Sequence, residues 1–137
     1  MSTAKWSAPG TEVEIGGSAL NSLASSSTSA RMAYNNSTNR DLYARVVVEL
    51  GSITPGTGAS ITLRYLGRRS GNDETITTGL ESYTLPLGTT SGTKRLIFEM
   101  VRIYPFDGGF VVTNNSGTTL PASGNAVYVQ PFNEDIT

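Results

Sequence analysis

The sequence contains neither histidine nor cysteine in its 137 residues. Without cysteine there is no disulfide, no thiolate nucleophile and no sulfur ligand for a metal. Without histidine there is no Ser-His-Asp triad and no side chain whose ordinary pKa lies near neutrality, so proton transfer would need a shifted carboxylate, lysine or tyrosine. We therefore expect a binding or structural protein, with no enzymatic activity, no cofactor and no metal site.

The chain also lacks a charge excess and long apolar runs. Ten basic and eleven acidic residues give a formal net charge of −1, which predicts no general attraction to nucleic acid or to a membrane surface. No apolar stretch has the length of a signal peptide or of a membrane span, so neither is expected. Eight of the ten cations are arginine, the cation that is enriched at protein interfaces.

Small polar residues and short alternating apolar segments make up most of what is present. Serine, threonine, glycine and asparagine together occupy 58 positions, as expected for turns and exposed strand faces. Leu42 to Leu50 and Ile61 to Leu66 alternate with a period of two, which is typical of strands with one buried face. In the predicted strand Lys94 to Tyr104, the alternation places Met100 on the same face as Leu96 and Phe98.

About eight such strands, separated by turns rich in glycine and asparagine, predict an all-β antiparallel β-sandwich. A jelly roll is the leading architecture. An immunoglobulin-like sandwich and a small barrel remain alternatives, because periodicity does not determine strand order.

We divide the chain into an extended N-terminal arm, residues 1–30, and a sandwich body, residues 31–137. The arm is polar and contains one predicted short strand, Thr11 to Ile15. The apolar side chains of the arm are candidate contacts to a partner or to another subunit; they are Trp6, Val13, Ile15, Leu20 and Leu23. Arg68 and Arg69, at a predicted loop tip of the body, are further candidates. A disordered tail and a strand exchanged between subunits are the alternatives for the arm.

Three carboxylates in predicted strands, Glu49, Glu81 and Glu99, are the candidates for a two-carboxylate hydrolase. Arg45 and Arg95 stand beside two of them, so we predict ion pairs across neighbouring strands instead of catalysis. Asn36 and Asn114 begin glycosylation-like triplets, which we interpret as turn chemistry.

Aromatic side chains suggest a second kind of function. Trp6 and several tyrosines would form a sugar-stacking platform if they gathered on one surface, although core or interface packing is the commoner use of such residues. The tyrosines concerned are Tyr34, Tyr43, Tyr83, Tyr104 and Tyr128.

Several phrases of the sequence resemble small structural proteins of tailed bacteriophages. The resemblance extends from about residue 16 to residue 134. It rests on Leu20-Asn21-Ser22-Leu23, Asn35-Asn36-Ser37-Thr38-Asn39, Asp41-Leu42-Tyr43-Ala44, Asn114-Asn115-Ser116-Gly117, Ala122-Ser123-Gly124-Asn125 and Pro131-Phe132-Asn133-Glu134.

The resemblance implies a head decoration, or cement, protein on the outer surface of the virion head, made in the host cytoplasm. It implies a jelly-roll-like body that binds the major capsid protein, and no catalytic residues. We expect a homotrimer, with a homodimer as second choice. The alternative is a glycan- or receptor-binding module of a phage tail or spike.

Overall fold

The computed structural model describes residues 4–69, 72–73 and 81–136. These residues form strands and one short 3₁₀ helix, Gly17–Leu20. No helix in this part of the chain has the length and apolarity needed to cross a membrane. The strands are β1 (Ala4–Trp6), β2 (Val13–Glu14), β3 (Met32–Asn35), β4 (Tyr43–Ile53), β5 (Ser60–Arg69), β6 (Asn72–Asp73), β7 (Ser82–Pro86), β8 (Gly92–Arg102), β9 (Asp107–Asn115), β10 (Ala126–Phe132) and β11 (Glu134–Ile136).

Nine of these strands form two packed antiparallel sheets, and eight of them, all but the two-residue β6, follow one regular pairing order. One sheet has the order β2-β10-β4-β8, and the other has the order β3-β9-β5, with β6 and β7 both paired to β5. In chain order, the first of the eight pairs with the last (β2 with β10), the second with the seventh (β3 with β9), the third with the sixth (β4 with β8) and the fourth with the fifth (β5 with β7). A long hairpin rolled into two layers gives this pattern, so the predicted jelly roll is confirmed.

The alternating strands supply the core as predicted. Ala44, Val46 and Val48 of β4 are fully buried between the sheets, and Ile61 and Leu63 of β5 face them from the opposite layer. The intervening residues of β4 point to the outer face of the first sheet. This outer face is where β1 packs, so the alternation of β4 fixes which side chains reach a surface site.

A β-bulge changes the face assignment in β8. Val46 pairs with Phe98, but Ala44 pairs with Val101, so β8 carries one extra residue at this point. An extra residue reverses which face the following side chains occupy. The prediction that Met100 shares the core face with Phe98 is therefore wrong: Met100 is 45% exposed, and Val101 is buried in its place.

Residues 4–30 contain two short strands where the sequence indicated one: β2 joins the first sheet through β10, and β1 pairs with β11. Leu20 is 0% exposed and belongs to the core. The preceding turn approaches the body so closely that a Cβ on Gly17 would lie 2.3 Å from Ala126 Cα. Leu20 is therefore a core residue and not a surface contact, which corrects its place among the candidates.

Both glycosylation-like asparagines stabilise turns from within, as predicted. Asn114 is fully buried; its Nδ2 donates to Leu23 O (3.0 Å) and to Thr118 O (2.8 Å), and its Oδ1 accepts from Ser116 N. Asn36 is 1% exposed, and its Nδ2 donates to Asp41 O (2.8 Å) and Tyr104 O (2.9 Å). The side-chain amides of both asparagines are therefore occupied by hydrogen bonds within the fold.

Candidate functional site

The most distinctive surface lies at one end of the sandwich, which we call the terminal end. Here β3, β8 and β10 finish, β4 and β9 begin, and the two chain termini pair as β1 and β11. The register places Tyr43, the first residue of β4, opposite Phe132 on one side and Arg102 on the other. We call the opposite end, where the β2–β3, β4–β5 and β9–β10 connections lie, the loop end.

Asn133 holds the two termini against the body. Its backbone oxygen accepts from Ser7 N at 2.9 Å, and its backbone nitrogen donates to Ser7 Oγ at 3.0 Å. Its side chain accepts from Leu42 N at 2.7 Å and donates to Asp41 Oδ1 at 2.8 Å. One asparagine therefore joins the segment after β1, the start of β4 and the link between β10 and β11.

This anchoring places Trp6 over two aromatic rings of the first sheet. Tyr43 and Phe132 are cross-strand partners whose rings stack at 5.5 Å between centroids. The Trp6 ring stands at 84° to Tyr43 and at 79° to Phe132, with centroids 6.2 and 5.6 Å away. Such inclined contacts are favourable for aromatic rings. Trp6 is nevertheless 57% exposed, so packing on the body uses less than half of its surface.

Other large apolar side chains are exposed at this end. Leu42 is 47% exposed and Phe106, in the turn between β8 and β9, is 63% exposed. The two loops that carry them are joined by backbone hydrogen bonds, from Asn36 N to Phe106 O and from Ile103 N to Leu42 O. We call these two residues and Trp6, which lie at the same end of the sandwich, the apolar end patch. Large apolar side chains left exposed at one end of a domain are candidates for a protein interface.

A groove of about 480 Å³ runs from the patch onto the outer face of the first sheet, beside β1. We call it the Trp6 groove. Its lining residues are Trp6, Ser7, Pro9, Arg45, Glu99, Met100, Gln130 and Phe132. The β8 bulge brings Met100 into this groove, which is why the sequence alone did not include it.

The strand carboxylates form the predicted ion pairs. Arg45 Nε lies 3.3 Å from Glu99 Oε2, and Arg95 Nε lies 3.7 Å from Glu49 Oε1. Glu49 is paired in register with Arg95, four residues from Glu99 along β8, which corresponds to about 13 Å at the usual rise of a strand. Two-carboxylate hydrolases separate their carboxyl groups by about 5 to 9.5 Å. The strand positions of Glu49 and Glu99 are farther apart than that, and each carboxylate is paired with an arginine.

The third candidate carboxylate, Glu81, bonds to a tyrosine. Tyr83 Oη donates a hydrogen bond to Glu81 Oε2 and accepts one from Arg102 N at 3.0 Å. Burial, followed by the bond to Glu81, raises the pKa of Tyr83 to about 12. The hydroxyl therefore stays protonated at neutral pH. Among the described residues, no group of three or more acidic side chains is arranged to hold a metal ion.

The sequence-predicted contact residues separate into three groups. Trp6 and Val13 are exposed, at 57% and 42%. Ile15 and Leu23 are partly buried and pack against the core, alongside the buried Leu20. Arg68 and Arg69 pair through their backbones with β6 near the terminal end, and their side chains lie outside the described residues.

The aromatic side chains predicted to form a platform do not all lie together. Tyr43 joins Trp6, whereas Tyr34 packs on Phe110 and Tyr104 packs on Tyr65 inside the sandwich. Phe132 was not among the predicted platform residues, although its place at the end of a strong strand was a usable signal.

No protein-family model matches this chain, and no curated protein matches it either. Among solved structures, PirA has a TM-score of 0.34 and 12% identity, with 96% of this chain and 92% of PirA covered. The Yersinia pseudotuberculosis-derived mitogen has a TM-score of 0.25 and 14% identity, with 96% and 83% covered. The enzymatically active domain of bacteriophage CBA120 tailspike protein 4 has a TM-score of 0.31 and 11% identity, with 100% of this chain and 19% of that chain covered. Likeness at this level does not indicate a function.

Proposed function

We propose that this protein is a non-enzymatic decoration protein of a tailed-phage head, which binds the outer surface of the major capsid protein and stabilises the mature particle. Two kinds of observation support the proposal. The sequence phrases resemble phage structural proteins, and a jelly roll is an architecture used by viral capsid proteins. The chemistry needed is adhesion, which calls for no reactive group.

The apolar end patch is the observation on which the proposal depends. Trp6, Leu42 and Phe106 remain exposed although the core beneath them is complete. Aromatic anchors at the centre of a contact contribute most of the binding free energy in protein interfaces.

Oligomerisation would increase the strength of this attachment. In the proposed homotrimer, with a homodimer as the second choice, identical patches would engage several capsid subunits at once. A second contact on the same particle is effectively intramolecular, so several moderate contacts give a tightly held cap. Light scattering of the purified protein measures the subunit number directly.

Sedimentation with empty expanded heads tests the proposal. The unmodified protein should sediment with the heads and raise the temperature at which they disrupt. Replacing Leu42 and Phe106 together by serine should weaken binding by about tenfold or more, since both side chains are exposed and the fold does not need them. Thr57→Ala, an exposed change at the loop end, is the matched control and should bind normally.

Two results would contradict the proposal. One is an unmodified protein that neither binds heads nor protects them from heat. The other is a double serine variant that binds as tightly as the control, because the apolar end patch would then have no part in attachment.

A further inference from the structure

The Trp6 groove has the size and shape of a small-ligand site. Its volume of about 480 Å³ lies within the range of about 300 to 1,000 Å³ that is usual for small-molecule pockets. It is open along the sheet face, so a ligand that is part of a longer chain can enter and leave it at the sides.

Four of the eight residues that line the groove are apolar. They are Trp6, Pro9, Met100 and Phe132, and Trp6 is held upright by its two aromatic neighbours and by the Ser7–Asn133 hydrogen bonds beside it. A flat, fixed indole with more than half of its surface exposed can stack against the apolar face of a sugar ring.

Polar side chains form the rest of the lining. Arg45 Nε is buried and has no hydrogen-bond partner among the described residues; its 3.3 Å approach to Glu99 lacks hydrogen-bond geometry. Gln130 Nε2 donates to Gly10 O at 3.0 Å, which leaves Oε1 without a partner in the described part of the chain. The charge of Arg45 is thus paired with Glu99, and because Nε is buried a ligand would meet the other guanidinium nitrogens of this side chain, which is 39% exposed.

The charges select among ligands. Arg45 and Glu99 lie side by side, so an anion would meet the Glu99 carboxylate and a cation would meet the Arg45 guanidinium. A neutral ligand with adjacent hydroxyl groups suits both, because each hydroxyl can accept from the guanidinium and donate to the carboxylate.

We propose that the Trp6 groove binds a neutral pyranose ring of a polysaccharide, stacked on Trp6 and hydrogen-bonded through its hydroxyl groups to Arg45, Glu99 and Gln130. This activity goes beyond capsid attachment and does not require it. It gives the glycan-binding alternative a defined location, and Tyr43, one of the five tyrosines considered with Trp6, supports the Trp6 ring there.

The chain offers a direct probe of this site. Trp6 is the only tryptophan, so intrinsic tryptophan fluorescence reports on the groove alone. Titration of the full chain with glucose, galactose, mannose, rhamnose, N-acetylglucosamine and their short neutral oligosaccharides should give a saturable fluorescence change with at least one of them at millimolar concentration. The corresponding oligosaccharide should bind more tightly than its monosaccharide, because the groove is open along the sheet.

Variants separate this site from other surfaces. Gln130→Ala and Arg45→Met should each weaken sugar binding by about tenfold while Trp6 still reports. Trp6→Ala removes the fluorescence probe, so its sugar binding is measured by calorimetry and should fall below detection. Phe106→Ala removes an exposed aromatic residue outside the groove and should leave the sugar affinity unchanged.

Three results would overturn the inference. They are no saturable response to any sugar of the panel, equal loss in Phe106→Ala and Gln130→Ala, and binding that survives Trp6→Ala. A preference for sialic or uronic acids over every neutral sugar would also contradict it, since the Glu99 carboxylate should repel them. Head binding is measured separately, so either activity can fail without the other.

Discussion

The two ends of this jelly roll differ in whether their apolar side chains are buried. At the loop end, the turn after β2 inserts Leu20 into the core, and buried Asn114 satisfies the backbone groups around it. At the terminal end, buried Asn36 plays the same part for the polar groups, but Leu42 and Phe106 stay in solvent. Both ends are internally bonded, and among the residues that the structure describes the exposed Leu42 and Phe106 lie at the terminal end. That surface is therefore available for binding without being needed for folding.

The largest expected effect comes from making the same substitution at both ends. Leu20→Ala removes a fully buried side chain and should lower the free energy of unfolding by about 3 kcal/mol. Leu42→Ala removes a half-exposed one and should change it by less than about 0.5 kcal/mol. Urea denaturation measures both. Equal losses would show that Leu42 also serves the core and that the two ends do not differ as described.

The two buried asparagines provide the next comparison. Each makes three hydrogen bonds through its side chain, so Asn114→Ala and Asn36→Ala should each cost about 2 kcal/mol in the free energy of unfolding. Equal costs would mean that the terminal end is as firmly ordered as the loop end and differs only in its surface.

Exposed asparagines of the same two turns are the controls. Asn115→Ala and Asn39→Ala should leave the denaturation midpoint nearly unchanged. If Asn36→Ala behaves like Asn39→Ala, the loops that carry Leu42 and Phe106 are not fixed by Asn36. The apolar end patch would then lack the rigidity that the proposed attachment needs.

Local patterns in the sequence predicted the strands but not the order in which the strands pair. The alternation in β4 and β5 and the turn asparagines depend on nearest neighbours, so they were predictable. Strand order depends on pairings between residues far apart in sequence, such as Val13 with Val129, which alternation does not reveal.

The candidate site was predictable only in part, for two physical reasons. Trp6 stood out as an aromatic residue in a polar segment. Met100 was misplaced because a bulge between apolar residues leaves the hydrophobic pattern almost unchanged while reversing the faces. Leu20 was misread as a surface residue; the preceding Gly16-Gly17 was the signal of a close approach to the body.

The smallest expected effect concerns Tyr83, which joins the two sheets at the terminal end through its bond from Arg102 N. The pKa of Tyr83 rises from 10.0 to about 12 because of burial and the bond to Glu81, so the folded state holds the phenolic proton more tightly than the unfolded state. Its contribution to stability is therefore complete below pH 10 and is lost as the pH rises from 10 towards about 12.

Tyr83→Phe removes this titration. The variant should be somewhat less stable than the unmodified protein at pH 8, because Arg102 N and Glu81 lose a partner, and the difference should shrink as the pH rises above 10. Tyr128→Phe, on the outer face of β10, controls for the loss of a phenol away from this junction. A difference that stays constant across the alkaline range would mean that the Tyr83 proton is not held by the fold.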